Sequence, residues 1–241
     1  NNKQYVNPKH LYEDLNNKAS FVMNSKLAEA SVTLLKNEKS LLPLQRLDTM
    51  KIIEVSIGDE KANAFSTTLN KYAKISHLGI SHDATKKERD TLLAKLKNYN
   101  LVILQLSKTS YRPAKNYSCT DGSIELISKI CEQKNTIACL NSNPYLINKL
   151  ENINRAKAIL CLYEDNEFSQ KAGAEAIMGA ITVNGRLPVT TNLFVAGTGL
   201  DIKTTIRVQY VAPEQMGINS VKLQEIDSIA RHGIKENAYP G

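Results

Sequence analysis

Glu164, Asp165 and Glu167 put three carboxylates within four positions, just past an apolar run, Ala158 to Leu162, that reads as a buried strand. Carboxyl groups at a strand end could reach a ligand. Acids at such a place more commonly favour the start of the next helix through its dipole, and that reading is preferred. The histidines His10, His77, His82 and His232 form no i,i+4 pair suited to zinc, so no metal site is expected. His77 and His82 flank a short segment and are expected on a solvated surface. Cys119, Cys131, Cys139 and Cys161 show no C-x-x-C spacing. Cys139 and Cys161 lie in apolar runs where Cys behaves as a small hydrophobe, and free thiols are favoured over a disulfide or a metal site. There is no S-x-x-K or G-x-S-x-G to supply a serine nucleophile. The absence of G-x-G-x-x-G and Walker patterns leaves no expected nucleotide cofactor, and no other cofactor is expected.

The elements that would position these groups alternate. Met23, Leu27, Ala30 and Leu34 make an apolar helical stripe that Asn37-Glu38-Lys39 ends. Lys51 to Ile57 is a β-branched strand ending at Gly58-Asp59. A helix near Lys61 to Lys71, a short strand around Lys74 to Leu78 and a charged helix from Thr85 to Lys97, with Leu92, Leu93 and Leu96 inward, lead to the apolar strand Leu101 to Leu106. Ser107 to Asp121 is the longest irregular segment, of the kind that is usually functional or interfacial. In it Tyr111, Arg112, Lys115 and Asn116 could approach a ligand, pack on a neighbouring wall or be solvated. Asp121, its sole carboxylate, is expected to cap the next helix, Gly122 to Gln133. Strand Thr136 to Leu140, a helix opened by Asn143-Pro144 and strand Ala158 to Leu162 follow.

The helix after Asn166 carries Phe168, Ala172, Ala176 and Ala180 at helical spacing, small enough to lie close on a sheet. Asn184-Gly185 is expected to turn the chain with Gly at positive φ, and Leu187-Pro188-Val189 leaves as a stiff extended segment. This alternation implies a three-layer αβα sandwich with a mainly parallel, flavodoxin-like sheet of about five to six strands. Asn192 to Val211 reads as a short strand or linker. A last amphipathic helix, capped by Asn219 or Ser220, turns Leu223, Ile226, Ile229, Ala230 and Ile234 inward.

The 241 residues suffice for one large domain with appendages, and 42% are hydrophobic. Trp is absent and aromatics make up 6%, which argues against a stand-alone sugar-stacking module. The net charge of +7 is spread out, with no basic stripe and no interleaved aromatics, so no nucleic-acid partner is expected. No membrane-spanning run is present. Asn116-Tyr117-Ser118 is a formal glycosylation sequon, meaningful in a eukaryotic secretory protein. A chain starting at Asn1 without Met suggests a processed or excised piece.

Two far-separated motifs carry a resemblance. Leu27-Ala28-Glu29-Ala30-Ser31-Val32-Thr33-Leu34-Leu35-Lys36-Asn37 followed by Leu41-Leu42-Pro43-Leu44, and the Ala-rich helix followed by Gly185-Arg186-Leu187-Pro188-Val189-Thr190, are similar to the opening and the end of the carboxy-terminal α/β domain of glycoside hydrolase family 3. The likeness covers about Met23 to Thr191. Met216-Gly217-Ile218 through Pro240-Gly241 resembles the first helix of a serine β-lactamase-like domain. The resemblance implies a linker over residues 1–18, an α/β sandwich domain over 19–200, and a linker with the start of a second module over 201–241. It implies three partners: an upstream (β/α)8 barrel holding the Asp nucleophile, a downstream β-lactamase-like module and an amino-sugar glycan. In the family's glucosidase branch this domain supplies a Glu acid/base from the loop corresponding to Ser107–Asp121. That loop has no Glu here, which fits the β-N-acetylglucosaminidase branch, where a barrel-loop His takes that role. No catalytic residue is therefore expected in this chain, and Tyr111, Arg112, Asn116 and Glu164 are the candidates for touching the sugar. A chain bracing the barrel, a non-catalytic saccharide-binding module and, more weakly, a flavodoxin-like cofactor protein are the readings that remain. The first implies a periplasmic or cell-envelope setting.

Overall fold

The computed structural model describes residues 8–238. The helices in chain order are α1 (Leu11–Leu15), α2 (Lys18–Ser31), α3 (Ala64–Leu69), α4 (Lys86–Lys95), α5 (Asp121–Gln133), α6 (Glu167–Met178) and α7 (Ser220–Lys235). The strands are β1 (Thr33–Asn37), β2 (Ile52–Ile57), β3 (Ser76–Ile80), β4 (Leu101–Leu106), β5 (Thr136–Leu140) and β6 (Ala158–Cys161). The chain divides into two compact units, residues 27–209 and residues 1–26 with 210–241.

In the larger unit the six strands lie in the order β1-β6-β5-β4-β2-β3. β2 to β6 are parallel, and β1 joins β6 antiparallel with a register shift between Leu34 and Lys36. The parallel strands alone follow the flavodoxin-like order, with the switch point between β2 and β4. Alternation along each strand feeds two cores. Ile53, Val55, Ile57, Val102, Leu104, Leu106, Ala138 and Leu140 pack with Leu92 and Leu96 and with Leu126, Ile127 and Ile130 of α5. Leu101, Ile103, Ile137, Cys139 and Leu160 face Phe65 and Leu69 of α3 and Ala172, Ala176 and Ile177 of α6. This is the three-layer αβα sandwich that the alternation implies. The small residues of α6 set its approach: a Cβ on Gly173 would stand 2.4 Å from Leu162 Cδ1.

Several local expectations change. The helical stripe from Met23 to Leu34 is split. α2 ends at Ser31, and Leu34 pairs with Leu160 in the sheet. Val32 and Thr33 are β-branched, and a fully buried ladder outweighs weak helical preference there. Met23 and Leu27 are exposed. Gly185 is not a positive-φ residue; Gly179, the αL cap of α6, is. Gly185 is required instead by close approach, since its Cβ would lie 2.4 Å from the Val32 carbonyl oxygen. Thr120, rather than Asp121, caps α5 by accepting from Ser123 N–H.

The segment after Thr191 closes the unit. Leu200 and Ile202 bridge to Leu34 and Val183. Arg207 then closes the C-terminal end of α6. Its Nη1 donates to the carbonyls of Leu44, at 2.6 Å, and Met178, while Ile206 N–H donates to Gly179 at 2.8 Å. The Met178 and Gly179 carbonyls are among those a helix leaves unpaired, and a cation there also meets the negative end of the dipole. Arg207→Met keeps the stem and removes the fork, and is expected to cost about 2 kcal/mol in urea unfolding, with partial recovery in Arg207→Lys. A loss under ~0.5 kcal/mol would show that the strap is held by packing alone.

The smaller unit is tied by Lys18 Nζ, which lies 2.9 Å from Glu214 Oε1 and donates to Ser220 Oγ at 2.7 Å. Ser220's hydroxyl, then Lys18, hold the Glu214 carboxyl down to about 2. Asn219 caps α7. Of the α7 residues expected to turn inward, Leu223, Ile226 and Ile234 are exposed. The linker expected over Asn1–Lys18 begins with residues 1–7, and the α7 tail ends with residues 239–241; both pieces lie outside the described residues.

Candidate functional site

The carboxyl ends of β2, β4, β5 and β6 carry the polar groups of the larger unit, as expected for an open parallel sheet. At the switch point the protein's own side chains fill the crevice. Asn63 Nδ2 donates to Asp59 Oδ2 at 2.8 Å and to Gln105 Oε1 at 2.9 Å. Gln105 in turn reaches Asn141 Oδ1 at 3.2 Å, and Lys108 Nζ lies 3.4 Å from Asp59. Every one of these atoms has a partner, so the cluster is a structural floor.

On that floor stands the loop Ser107–Thr120, a compact Ω-type excursion. Ser110 N–H donates to Tyr117 O at 2.7 Å, Thr109 Oγ1 to Asn141 O at 3.0 Å, and Asn143 Nδ2 to Tyr111 O at 3.2 Å. Lys108 takes a left-handed φ of 53°, and its N–H is held by Asp165 Oδ2 at 2.6 Å. Lys115, Asn116, Tyr117 and Ser118 are left-handed as well. Such backbone is costly for residues with a Cβ and persists where surroundings impose it. Here the anchor is Tyr117, buried in the core beside Cys119.

The tip is what remains outside. Tyr111 is 73% exposed, and Arg112 sits 5.4 Å from its ring centroid while Nε donates to its hydroxyl at 3.2 Å. Lys115 is exposed, and Asn116 gives its carbonyl to Cys119 N–H at 3.0 Å. The structure thus joins Tyr111 and Arg112 into one exposed platform, and Asn116 lies further along the same loop. Glu164 is engaged elsewhere: its carboxylate accepts from Asn166 Nδ2 at 2.7 Å, and Asn166 caps α6 through Ser169 N–H. Asp165 holds Lys108 and Gln170. The acidic trio therefore builds the start of α6 and the root of the loop.

The two histidines are not on a solvated surface. His82 is 9% exposed and sits under the loop. His77 Nδ1 bonds Glu54 Oε2, beside Ser66 Oγ. Ser66 and Glu54 both meet Nδ1, so no imidazole nitrogen is left between them to activate the hydroxyl, and this is no nucleophilic triad. The four cysteines are buried free thiols; burial pushes Cys119 up to about 11 and Cys131 and Cys161 up to about 12. Among the described residues no group of three or more His, Cys, Asp or Glu is placed to hold a metal ion. No described helix is long and apolar enough to cross a membrane.

A flavodoxin-ordered sandwich with a tied, carboxylate-free loop after β4 defines the class, an open-sheet α/β domain whose switch point is filled by its own side chains. The chain belongs to the glycosyl hydrolase family 3 C-terminal domain family, whose model matches residues 32–215. Among solved structures it is similar to a family 3 β-N-acetylglucosaminidase from Paenibacillus sp. str. FPU-7, at 20% identity and a TM-score of 0.59, over 76% of this chain and 34% of that one. It is similar to a Listeria innocua β-glucosidase solved with laminaribiose, at 15% identity and a TM-score of 0.59, over 75% of this chain and 28% of that one. A β-glucoside phosphorylase, BglX, matches at 19% identity and a TM-score of 0.55, over 78% of this chain and 34% of that one. The chain therefore spans about a third of the length of these proteins. No curated protein matches it by sequence.

Proposed function

We propose that this chain is the α/β domain of a β-N-acetylglucosaminidase of glycoside hydrolase family 3, inert alone. It braces a (β/α)8 barrel supplied by the parent protein and walls one side of the sugar site. The observation that carries the reading is the loop after β4. It offers an aromatic ring, a guanidinium and an amide, and no carboxyl group between Ser107 and Thr120. Such a set can stack on and hydrogen-bond a saccharide but cannot donate a proton to a leaving group. Tyr111, Arg112 and Asn116 are the contacts; Glu164 is turned to Asn166 and is not among them. Amino-sugar glycans such as peptidoglycan fragments are the substrate class, in a periplasmic or cell-envelope setting, and α7 opens a β-lactamase-like module.

The isolated chain is expected to show no turnover of an aryl N-acetylglucosaminide; turnover abolished by Glu164→Gln would overturn the proposal. In the parent enzyme, Tyr111→Ala with Arg112→Ala is expected to raise KM about tenfold with little change in kcat, the mark of lost uniform binding. The exposed Tyr111 ring also supports a second reading, a binding module with its own saccharide affinity. Micromolar binding of chitooligosaccharides to the isolated chain would favour that module, and no binding favours the brace.

A further inference from the structure

The loop Ser107–Thr120 begins and ends on one residue of another element. His82 follows β3, and its Nε2–H donates to the Ser107 carbonyl at 2.8 Å, at the loop's first residue. At the other end its Nδ1 lies 3.2 Å from Ser123 Oγ, and its own carbonyl accepts from Thr120 Oγ1. Thr120 Oγ1 also accepts from Ser123 N–H at 3.2 Å, so the same contact starts α5. The imidazole is almost fully buried and both its nitrogens are engaged. Neither Ser107 nor Thr120 is bonded directly to the other; His82 is the link between them.

We infer that His82 is a positioning residue for the loop tip. It closes the base of the Ω-loop, removes the freedom the two ends would otherwise have, and so fixes the Tyr111–Arg112 platform relative to the sheet. That the fixed platform meets a glycan rests on the proposed function; that His82 fixes it does not.

The test separates the two. In this chain, His82→Ala is expected to speed amide exchange at Ser110 and Cys119 about tenfold, while amides of β4 keep their protection. Trypsin should then cut after Lys115, since Pro113 blocks cleavage after Arg112. His82→Gln places an amide where Nε2–H stood and should restore most of the protection; His82→Asn, which mimics Nδ1, should not. If the alanine variant does not fold, the Gln and Asn variants carry the test. Equal loop exchange in those two, or unchanged exchange in His82→Ala, would overturn the role. In the parent enzyme, His82→Ala is expected to raise KM about as far as the Tyr111→Ala with Arg112→Ala pair, and no further when combined with it. Faster loop exchange with KM unmoved in all these variants would leave the clamp standing and overturn the glycan contact.

Discussion

Gly58→Ala is expected to destabilise this domain by about 2–6 kcal/mol, the sum of backbone strain and steric overlap. Gly58 ends β2 with φ +110°, a conformation that residues with a Cβ rarely adopt. A Cβ there would lie 2.3 Å from the Ser107 carbonyl oxygen and 3.0 Å from His82 Nε2. The first contact is with backbone of the adjacent strand end, which cannot swing aside as a side-chain tip can. The same displacement would prise the Ser107 carbonyl from His82, so loop protection should fall together with stability. Gly197 supplies the control. Its φ is +87°, and nothing stands within 4 Å of its would-be Cβ. Gly197→Ala therefore reports strain alone, about 1–3 kcal/mol. Urea unfolding of both variants reads the difference, with an unchanged m-value as the sign that the comparison holds. Equal losses at the two positions would show that the crowding around Gly58 relaxes without cost.

Much of this architecture could be read from periodicity, and the failures have a common cause. β4 and β5 follow their apolar runs residue for residue, because a strand buried on both faces leaves a nearly continuous hydrophobic signal. The small face of α6 announced its close packing in the same way. β1 was hidden because Leu34 continues a helical spacing from Leu27 and Ala30, and its antiparallel partner, β6, lies far along the chain. The loop was legible as a loop, with Tyr111, Arg112 and Asn116 along it. Its fastenings were not. Lys108, Tyr117, Asp165 and His82 act through partners brought together by topology, and nothing in their own neighbourhoods marks them. Arg207 sits in a stretch that reads as linker because its partners are main-chain carbonyls, which carry no sequence signature. His77 and His82 look exposed beside polar neighbours, yet each answers a buried acceptor on another part of the chain, Glu54 of β2 and the Ser107 carbonyl after β4.

For His77 that acceptor predicts a measurable pH signature. Glu54 is 1% exposed on β2, with Oε2 bonded to His77 Nδ1 and to Ser66 Oγ at 3.0 Å, and Oε1 without a partner. The hydrogen bond to Glu54 raises His77 above its ordinary value against the opposing effect of burial; the Glu54 charge, the Glu60 backbone and Asp59 add to the rise. A group raised on folding contributes its full stability below its unfolded value, near 6.5. It loses that contribution as pH climbs through the raised folded value, so the wild-type domain should weaken as pH rises above about 6.5. His77→Ala removes the cationic partner and leaves a buried carboxylate with the Ser66 hydroxyl and no opposite charge. Breaking such a pair costs roughly 3–5 kcal/mol. Because the charged imidazole stabilises the wild-type domain only at lower pH, the penalty in His77→Ala should be greatest below about pH 6.5 and shrink as pH rises. Replacing both residues, Glu54→Leu with His77→Leu, removes the buried charge altogether and is expected to recover most of the loss. Urea unfolding of the three proteins at about pH 5, 6, 7 and 8 decides the matter. A pH-independent loss in His77→Ala, or a double variant as weak as the single, would show that packing at the β3 edge, and not the buried charge, makes His77 matter.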